Sequence, residues 1–300
     1  MGDWTLVTGG AGYVGSVVVD ELLARGRNLA GKLGGRNVAL LFGTPDLAEE
    51  LGRFGAEVVC VVDDPAVTNY HPARWATALR RVLEQEQPHV LLIPATGRGR
   101  EYGPRAAGEL ELGMTADCVG VDIAKAGRLL QQKPAYGGNI VSVILCRTTP
   151  QLATVLPRMY EPLEPREGVE IEVRTLDVGP LTNEGVRLVD RKDDRDSYRI
   201  DDADVVSLLG SGIGGPEPIP LIDQEARKVG AAVAGTREIC EAGWLPGTCH
   251  VGIFGRPVAP RLLVAVRPAP RGSDDGCIIA PKVARSRART EARIPSPRPG

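Results

Sequence analysis

Residues 88–107 read PHVLLIPATGRGREYGPRAA, and this stretch decides how the first half of the chain is interpreted. Residues 89–94 form a short apolar run that is typical of a buried strand. The segment 96–105 follows it and carries three arginines, Arg98, Arg100 and Arg105. A segment directly after a strand lies at the carboxyl edge of a sheet, where α/β folds place ligands and interfaces. Two interpretations stay open: an anion-binding site, or a solvated loop that packs against a partner.

The same pattern extends from this strand toward the N-terminus. Apolar runs that predict strands alternate with segments of helical periodicity at 4–8, 16–33, 37–42, 45–54, 57–62 and 72–85. Alternating strands and helices predict a parallel, twisted sheet with helices on both faces. Two further strand candidates lie at 139–147 and 169–176. We therefore predict an N-terminal, Rossmann-like α/β domain over residues 1–182.

A second, shorter α/β unit is predicted over residues 203–266. Its signals are those of a strand, a glycine-rich turn, a helix, a strand, a short helix and a strand, at 203–209, 210–215, 219–229, 231–234, 236–242 and 261–266. A unit of this length makes about half of a doubly wound sheet, so we expect an incomplete domain. Residues 183–202 are polar, with charges clustered at 190–196, and predict a linker.

Composition changes abruptly at residue 267. Residues 267–300 contain eight basic and three acidic residues and six prolines, but no Leu, Phe, Tyr or Trp. Such a segment cannot bury a core, and it predicts a disordered basic tail rich in proline and arginine. Two interpretations of this tail are an out-of-frame reading of a GC-rich gene and a genuine tail that binds an acidic partner.

Global composition excludes several classes of function. A net charge of −2 and a pI of about 6.0 argue against nucleic-acid binding. The apolar run at 139–146 is far shorter than the roughly 20 residues of a membrane span. The six cysteines are scattered singly and there are three histidines, so neither a metal site nor a disulfide framework is predicted. A cytoplasmic location is the expectation.

A glycine motif near the N-terminus offers one alternative function. Gly9, Gly12 and Gly15 follow a strand and open a helix, with the spacing found in NAD-dependent epimerases and dehydratases. However, the next strand does not end in an acid that would bind the ribose. In addition, none of the six tyrosines is followed four residues later by a lysine, so the proton-transfer pair of that family is missing.

A resemblance that spans roughly residues 20–266 points elsewhere. The blocks LLIPATGRGR at 91–100, LGMTADC at 112–118 and KPAYGGNI at 133–140 closely resemble the α subunit of electron transfer flavoproteins. Further blocks follow in the order of that family, namely PQLATV at 150–155, GAAVAGTR at 230–237, AGWLP at 242–246 and RPVAP at 256–260. Each block alone is weak, but the set is highly specific.

The resemblance implies that the second domain binds FAD. Arg237 matches a family arginine beside the flavin ring, and Thr236 matches a neighbouring small hydroxyl residue. Other positions that match the family's cofactor contacts are Ser211, Val251, Gly252, Ile253 and Phe254. Two of them depart from the family, since Ser211 replaces an arginine and Phe254 a threonine. The family pattern is also lost after Val266, which suggests a degenerate or truncated FAD domain.

The resemblance further implies a carrier of electrons and not an enzyme, so no catalytic residue is predicted. The expected partners are a β subunit in a heterodimer, flavin dehydrogenases as donors and a quinone reductase as acceptor, with fatty acid β-oxidation as the supplying pathway. The first domain would contact the β subunit. A second alternative is a non-functional remnant that retains only this contact.

Overall fold

A computed structural model describes residues 2–9, 13–136, 140–181, 189–190, 200, 203–252, 255–256 and 258–266, with the backbone alone at 2–4, 8–9 and 13–18. Tyr136 aside, the described residues fall into two compact units, one up to residue 190 and one from residue 200 onward. The predicted tail at 267–300 and nearly all of the linker at 183–202 lie outside the described residues. The predicted linker and domain boundaries therefore stay predictions.

The first unit is built on a large parallel sheet. Its described strands and helices are β1 (Gly2–Gly9), α1 (Tyr13–Leu33), β2 (Arg36–Phe42), α2 (Ala48–Arg53), β3 (Val58–Val62), α3 (Pro65–Thr68), α4 (Pro72–Glu86), β4 (Pro88–Pro94), α5 (Gly99–Glu109), β5 (Met114–Cys118), β6 (Gly120–Ile123), β7 (Leu129–Ala135), β8 (Ile140–Leu145), β9 (Gln151–Val155) and β10 (Glu172–Thr175). Seven strands pair in the order β10-β3-β2-β1-β4-β9-β5, and every pairing is parallel. The predicted α/β class is confirmed.

The apolar run at 89–94 lies in β4, which is an inner strand of the large sheet. The side chains of Val90, Leu91, Leu92 and Ile93 in β4 are fully buried, because the two faces of the sheet are covered by separate apolar clusters. In α4, Trp75, Leu79 and Val82 are buried, as their helical spacing predicted. Pro72 opens this helix at a position where a missing N–H costs nothing.

The arginine-rich segment after β4 differs from the loop interpretation, because most of it forms α5. Two glycines make this helix possible against the sheet. A Cβ on Gly99 would lie 1.9 Å from the carbonyl oxygen of Pro94, and one on Gly103 would lie 2.7 Å from Cδ1 of Ile93. Glycine and proline lower the helix propensity of this segment, so the sequence alone does not predict α5. Close packing on β4 stabilises the helix.

A small antiparallel sheet, in the order β6-β7-β8, accompanies the large one. The strand predicted at 139–147 is β8, and it pairs with β7 and not with the parallel strands. The strand predicted at 169–176 is β10, which pairs with β3 at one end of the large sheet. No described helix is both long enough and apolar enough to cross a membrane.

The second unit is a three-stranded parallel sheet. Its described elements are β11 (Val205–Leu209), a short 3-10 helix (Ser211–Ile213), α6 (Ile219–Lys228), β12 (Ala231–Gly235), α7 (Arg237–Glu241), a second 3-10 helix (Gly247–Cys249) and β13 (Leu262–Val266). The strands lie in the order β12-β11-β13. This smaller α/β sheet was predicted, and its strands begin and end within about two residues of the predicted positions.

Candidate functional site

The loops after β11 and β12 begin side by side at the carboxyl edge of the second sheet. Leu209 at the end of β11 is in register with Gly235 of β12 and with Val266 of β13. The N–H of Gly210 donates to the carbonyl of Val266 at 3.1 Å, and the N–H of Thr236 donates to the carbonyl of Leu209 at 2.9 Å. These bonds hold the starts of the loops after β11 and β12 side by side, at the edge where α/β sheets bind ligands.

Thr236 carries a hydroxyl that has no partner in the part of the chain that the structure describes. It precedes the first residue of α7, a position where threonine usually caps the helix, but its side chain makes no capping hydrogen bond. Its Oγ1 is buried and has no hydrogen-bond partner among the described residues. A buried hydroxyl without a partner is costly, so this atom is suited to bind a ligand at the sheet edge.

Arg237 supplies positive charge next to that hydroxyl. Its side chain is exposed, and its Nε donates to Oε1 of Glu241 at 2.6 Å, one turn further along α7. Because the pair is at the surface, solvent screens it and the guanidinium can reorient toward an anionic group. Ser211, at the start of the first 3-10 helix, is half-buried in the loop after β11 and adds a second hydroxyl to this edge.

The segment after the second 3-10 helix continues the same edge. The N–H of Val251 donates to the carbonyl of Gly235 at 3.0 Å, so this backbone donor is used within the protein. Gly252 is buried, and its carbonyl accepts from the N–H of Gly255 at 2.9 Å. The predicted residues Ile253 and Phe254 lie outside the described residues, and their role stays a prediction.

A cavity of about 420 Å³ lies beside these loops, within the range of small-molecule sites. Its lining residues are Arg237, Cys240, Glu241, Gly247 and His250. The unpartnered Thr236 hydroxyl, the cation of Arg237 and this cavity fit a large anionic cofactor such as FAD. Among the described residues, no group of three or more His, Cys, Asp or Glu side chains is placed to hold a metal ion.

Sequence reasoning missed four of the residues that line this cavity. Cys240, Glu241, Gly247 and His250 were not named, because nothing in their spacing marks them as neighbours. Of these four residues, His250 is the one that the sequence could have indicated, since it directly precedes the predicted segment at 251–254 and is one of three histidines in the chain. The structure brings together Ser211, Thr236, Arg237, Val251 and Gly252 at one sheet edge.

Two units built on parallel sheets, the second with a cavity beside its carboxyl edge, define a two-domain α/β protein whose second unit can hold a ligand. Comparison with known families agrees with this description. Residues 3–181 match the family described as the electron transfer flavoprotein domain, and residues 199–267 match the electron transfer flavoprotein FAD-binding domain. The chain belongs to the electron transfer flavoprotein α subunit family, and FAD is confirmed as the cofactor that its second domain is built to bind.

Individual relatives agree with the family assignment. The electron transfer flavoprotein subunit alpha of Thermoanaerobacterium thermosaccharolyticum is 35% identical over 254 residues, which cover 83% of this chain and 77% of the relative. Protein FixB of Clostridium saccharobutylicum is 34% identical, over 82% of this chain and 75% of the relative. The acryloyl-CoA reductase electron transfer subunit beta of Anaerotignum propionicum is 30% identical, over 82% and 76%.

These comparisons decide between the functions that the sequence left open. The chain is an electron-carrier subunit and not an enzyme, as predicted. The NAD-dependent epimerase or dehydratase interpretation, which rested on Gly9, Gly12 and Gly15, is not favoured. Residues 10–12 of that motif lie outside the described residues.

Proposed function

We propose that this chain pairs with an electron transfer flavoprotein β subunit as a heterodimer and carries electrons from flavin-linked dehydrogenases to a quinone reductase. The observation that carries the proposal is the meeting of Ser211, Thr236 and Arg237 at one sheet edge beside a cavity of about 420 Å³. This edge belongs to the part of the chain that matches the FAD-binding domain. FAD, when bound, supplies the reversible storage of electrons.

The protein's contribution is to bind the cofactor and to tune its potential. The positive charge of Arg237 would stabilise the extra negative charge that a reduced flavin carries, and this raises the reduction potential. The buried Oγ1 of Thr236 would gain the hydrogen-bond partner that it lacks among the described residues. The hydroxyl of Ser211 would bind the phosphates without the positive charge that the family's arginine provides.

The first unit would provide the contact with the β subunit. Two of the arginines on the segment after β4 already have partners within that unit. The guanidinium of Arg98 lies 5.2 Å from the centre of the Tyr70 ring, and Nε of Arg100 lies 2.9 Å from Oδ1 of Asp117. The segment therefore presents paired side chains at the surface of the first unit, and we propose that they contact the β subunit.

The relatives do not identify one electron donor. One of them is named as an electron transfer subunit of acryloyl-CoA reductase and another as FixB, so related chains serve different systems. We therefore propose flavin-linked dehydrogenases as a class of donor. Fatty acid β-oxidation as the supplying pathway and a cytoplasmic location stay predictions.

Electron delivery tests this proposal directly. The chain is co-expressed with the β subunit, and the purified complex is mixed with a substrate-reduced flavin-linked dehydrogenase. We expect the visible flavin band of the complex to bleach and then to recover when a quinone reductase and a quinone are added. The separate α and β chains serve as controls. Failure of every flavin-linked dehydrogenase to bleach a complex that contains FAD would contradict the proposed role.

A further inference from the structure

The described residues leave one buried imidazole nitrogen of a cavity-lining residue without a hydrogen-bond partner. Nε2 of His250 is buried and has no hydrogen-bond partner among the described residues. The same residue lines the cavity together with Arg237. Leaving a buried imidazole nitrogen without a partner is unfavourable, and since His250 lines a cavity, a ligand bound there would supply the missing partner.

The backbone of His250 is held in place by its neighbours. The N–H of His250 donates to the carbonyl of Gly247 at 3.2 Å, and its own carbonyl accepts from the N–H of Arg256 at 2.8 Å. Gly255 closes the turn over the residue so tightly that a Cβ there would lie 2.5 Å from the His250 carbonyl oxygen. A residue whose backbone is held in this way has little backbone freedom left to lose on binding a ligand.

The neighbouring side chains argue against a metal as the missing ligand. Burial, with a smaller contribution from nearby Cys249, raises the pKa of the Cys240 thiol to about 11, so this sulfur stays protonated at neutral pH. The carboxylate of Glu241 already accepts the hydrogen bond from Arg237. A neutral thiol, a cation and an imidazole suit a polar organic ring with hydrogen-bond acceptors.

We infer that His250 is a further cofactor-contacting residue, whose Nε2–H donates a hydrogen bond to an acceptor atom of the flavin ring in this cavity. The inference rests on the proposed function, because it requires that the chain bind FAD at this sheet edge. It adds to the predicted site a residue that neither the sequence motifs nor the comparisons with known proteins assigned.

Imidazole NMR tests the contact itself. The full chain, labelled in its histidines, is assembled with unlabelled β subunit and stripped of cofactor. Three imidazole signals are expected, and His250→Gln identifies the one from His250. FAD should shift this signal and leave those of His71 and His89, which lie in the first unit, unchanged. ADP, which lacks the flavin, should leave all three signals unchanged.

Two substitutions test the energetic role in the same complex. His250→Leu removes the donor and should weaken FAD binding about tenfold, the effect of one buried hydrogen bond. His250→Gln retains a donor in a similar position and should restore most of that affinity. If Gln and Leu weaken FAD binding equally, or if the His250 signal does not respond to FAD, the contact is wrong while FAD binding stands.

Two other results would also overturn the inference. A shift of the His250 signal by ADP alone would place the pyrophosphate, and not the flavin ring, in the cavity. A complex that does not take up FAD at all would contradict the proposed function together with this contact, so the two failures can be told apart.

Discussion

The two sheets of this chain differ in how completely they are covered. In the first unit, all five residues of β3 and of β9 are buried, and apolar clusters pack on both faces of the sheet. In the second unit, the central strand β11 is buried at four of its five positions, but no residue of the edge strand β13 is fully buried, and Leu262 is 39% exposed. The unpartnered polar atoms of the candidate site belong to the second unit. The second unit therefore combines a partly exposed edge strand with the polar atoms of the candidate site.

The largest expected contrast is in the cost of removing a leucine from each sheet. Leu92→Ala in β4 deletes a fully buried side chain and should lower the free energy of unfolding by about 2–5 kcal/mol. Leu262→Ala in β13 removes a partly exposed side chain and should cost less than about 1 kcal/mol. Urea unfolding of both variants measures this difference. Equal losses would mean that the two sheets are covered alike.

The buried carboxyl group of Glu21 should make the stability of the first unit depend on pH. Burial raises the pKa of Glu21 to about 7, although its carboxylate accepts hydrogen bonds from the N–H groups of Arg158, Met159 and Tyr160. Between its ordinary pKa of 4.5 and about 7, the folded state holds a proton that the unfolded state has lost. This contribution to stability therefore falls as pH rises through that window and stays constant above it.

Glu21→Gln removes this titration from the first unit. Its free energy of unfolding should rise relative to wild type between pH 5 and pH 8, by at most about 3 kcal/mol. Urea unfolding at several pH values measures the difference, and Glu49→Gln at an exposed position of α2 is the control. A difference between Glu21→Gln and wild type that does not change with pH would contradict the raised pKa.

Replacing Arg237 in the second unit should change the reduction potential of bound FAD more than the free energy of unfolding. Arg237→Gln should lower the reduction potential of bound FAD by on the order of tens of millivolts, because a cation near the reduced flavin is lost. Arg227→Gln is a matched control, since Arg227 forms the same kind of pair with Asp223 on α6 at 2.8 Å. Spectroelectrochemical titration measures both variants. An equal change in the two would contradict a special role for Arg237.

The smallest expected effects are those of surface ion pairs, where the two units should not differ. Glu84→Gln breaks a pair with Arg80 on α4, and Glu241→Gln breaks the pair with Arg237 on α7. Exposed pairs four residues apart stabilise a helix by about 0.3–0.5 kcal/mol, less at high salt. Thermal unfolding at low and high salt measures both. A loss above about 1 kcal/mol in either unit would mean that its pair is less screened than its exposure indicates.

The sequence predicted β1 to β4 well, because each of these strands is a short apolar run next to a helical segment. It did not predict α5, since Gly99, Gly103 and Pro104 disfavour a helix until the sheet packs against it. It also missed β5, β6, β7 and β9, and β9 lies between β4 and β5 in space although it is far from β4 along the chain. Pairings between distant segments leave no local pattern, so they are beyond periodicity arguments.

Some residues of the candidate site could be predicted from the sequence and others could not. Ser211, Thr236 and Arg237 follow strand ends, and a position after a strand can be read from the sequence. His250 and Cys240 come together only through the turns at 247–256 and the short helix α7. The burial of Nε2 of His250 and of Oγ1 of Thr236 is a property of packing, and no spacing of residues predicts it.

The three-stranded sheet of the second unit should bind FAD. The most direct measurement is the absorption spectrum of the full chain co-purified with the β subunit, followed by release of the cofactor and chromatography. We predict a visible flavin band that accounts for one FAD in the second domain of each α chain, assigned there by its loss when the edge residues Thr236 and Arg237 are replaced together. A stable but colourless complex that remains so when FAD is added would contradict the claim.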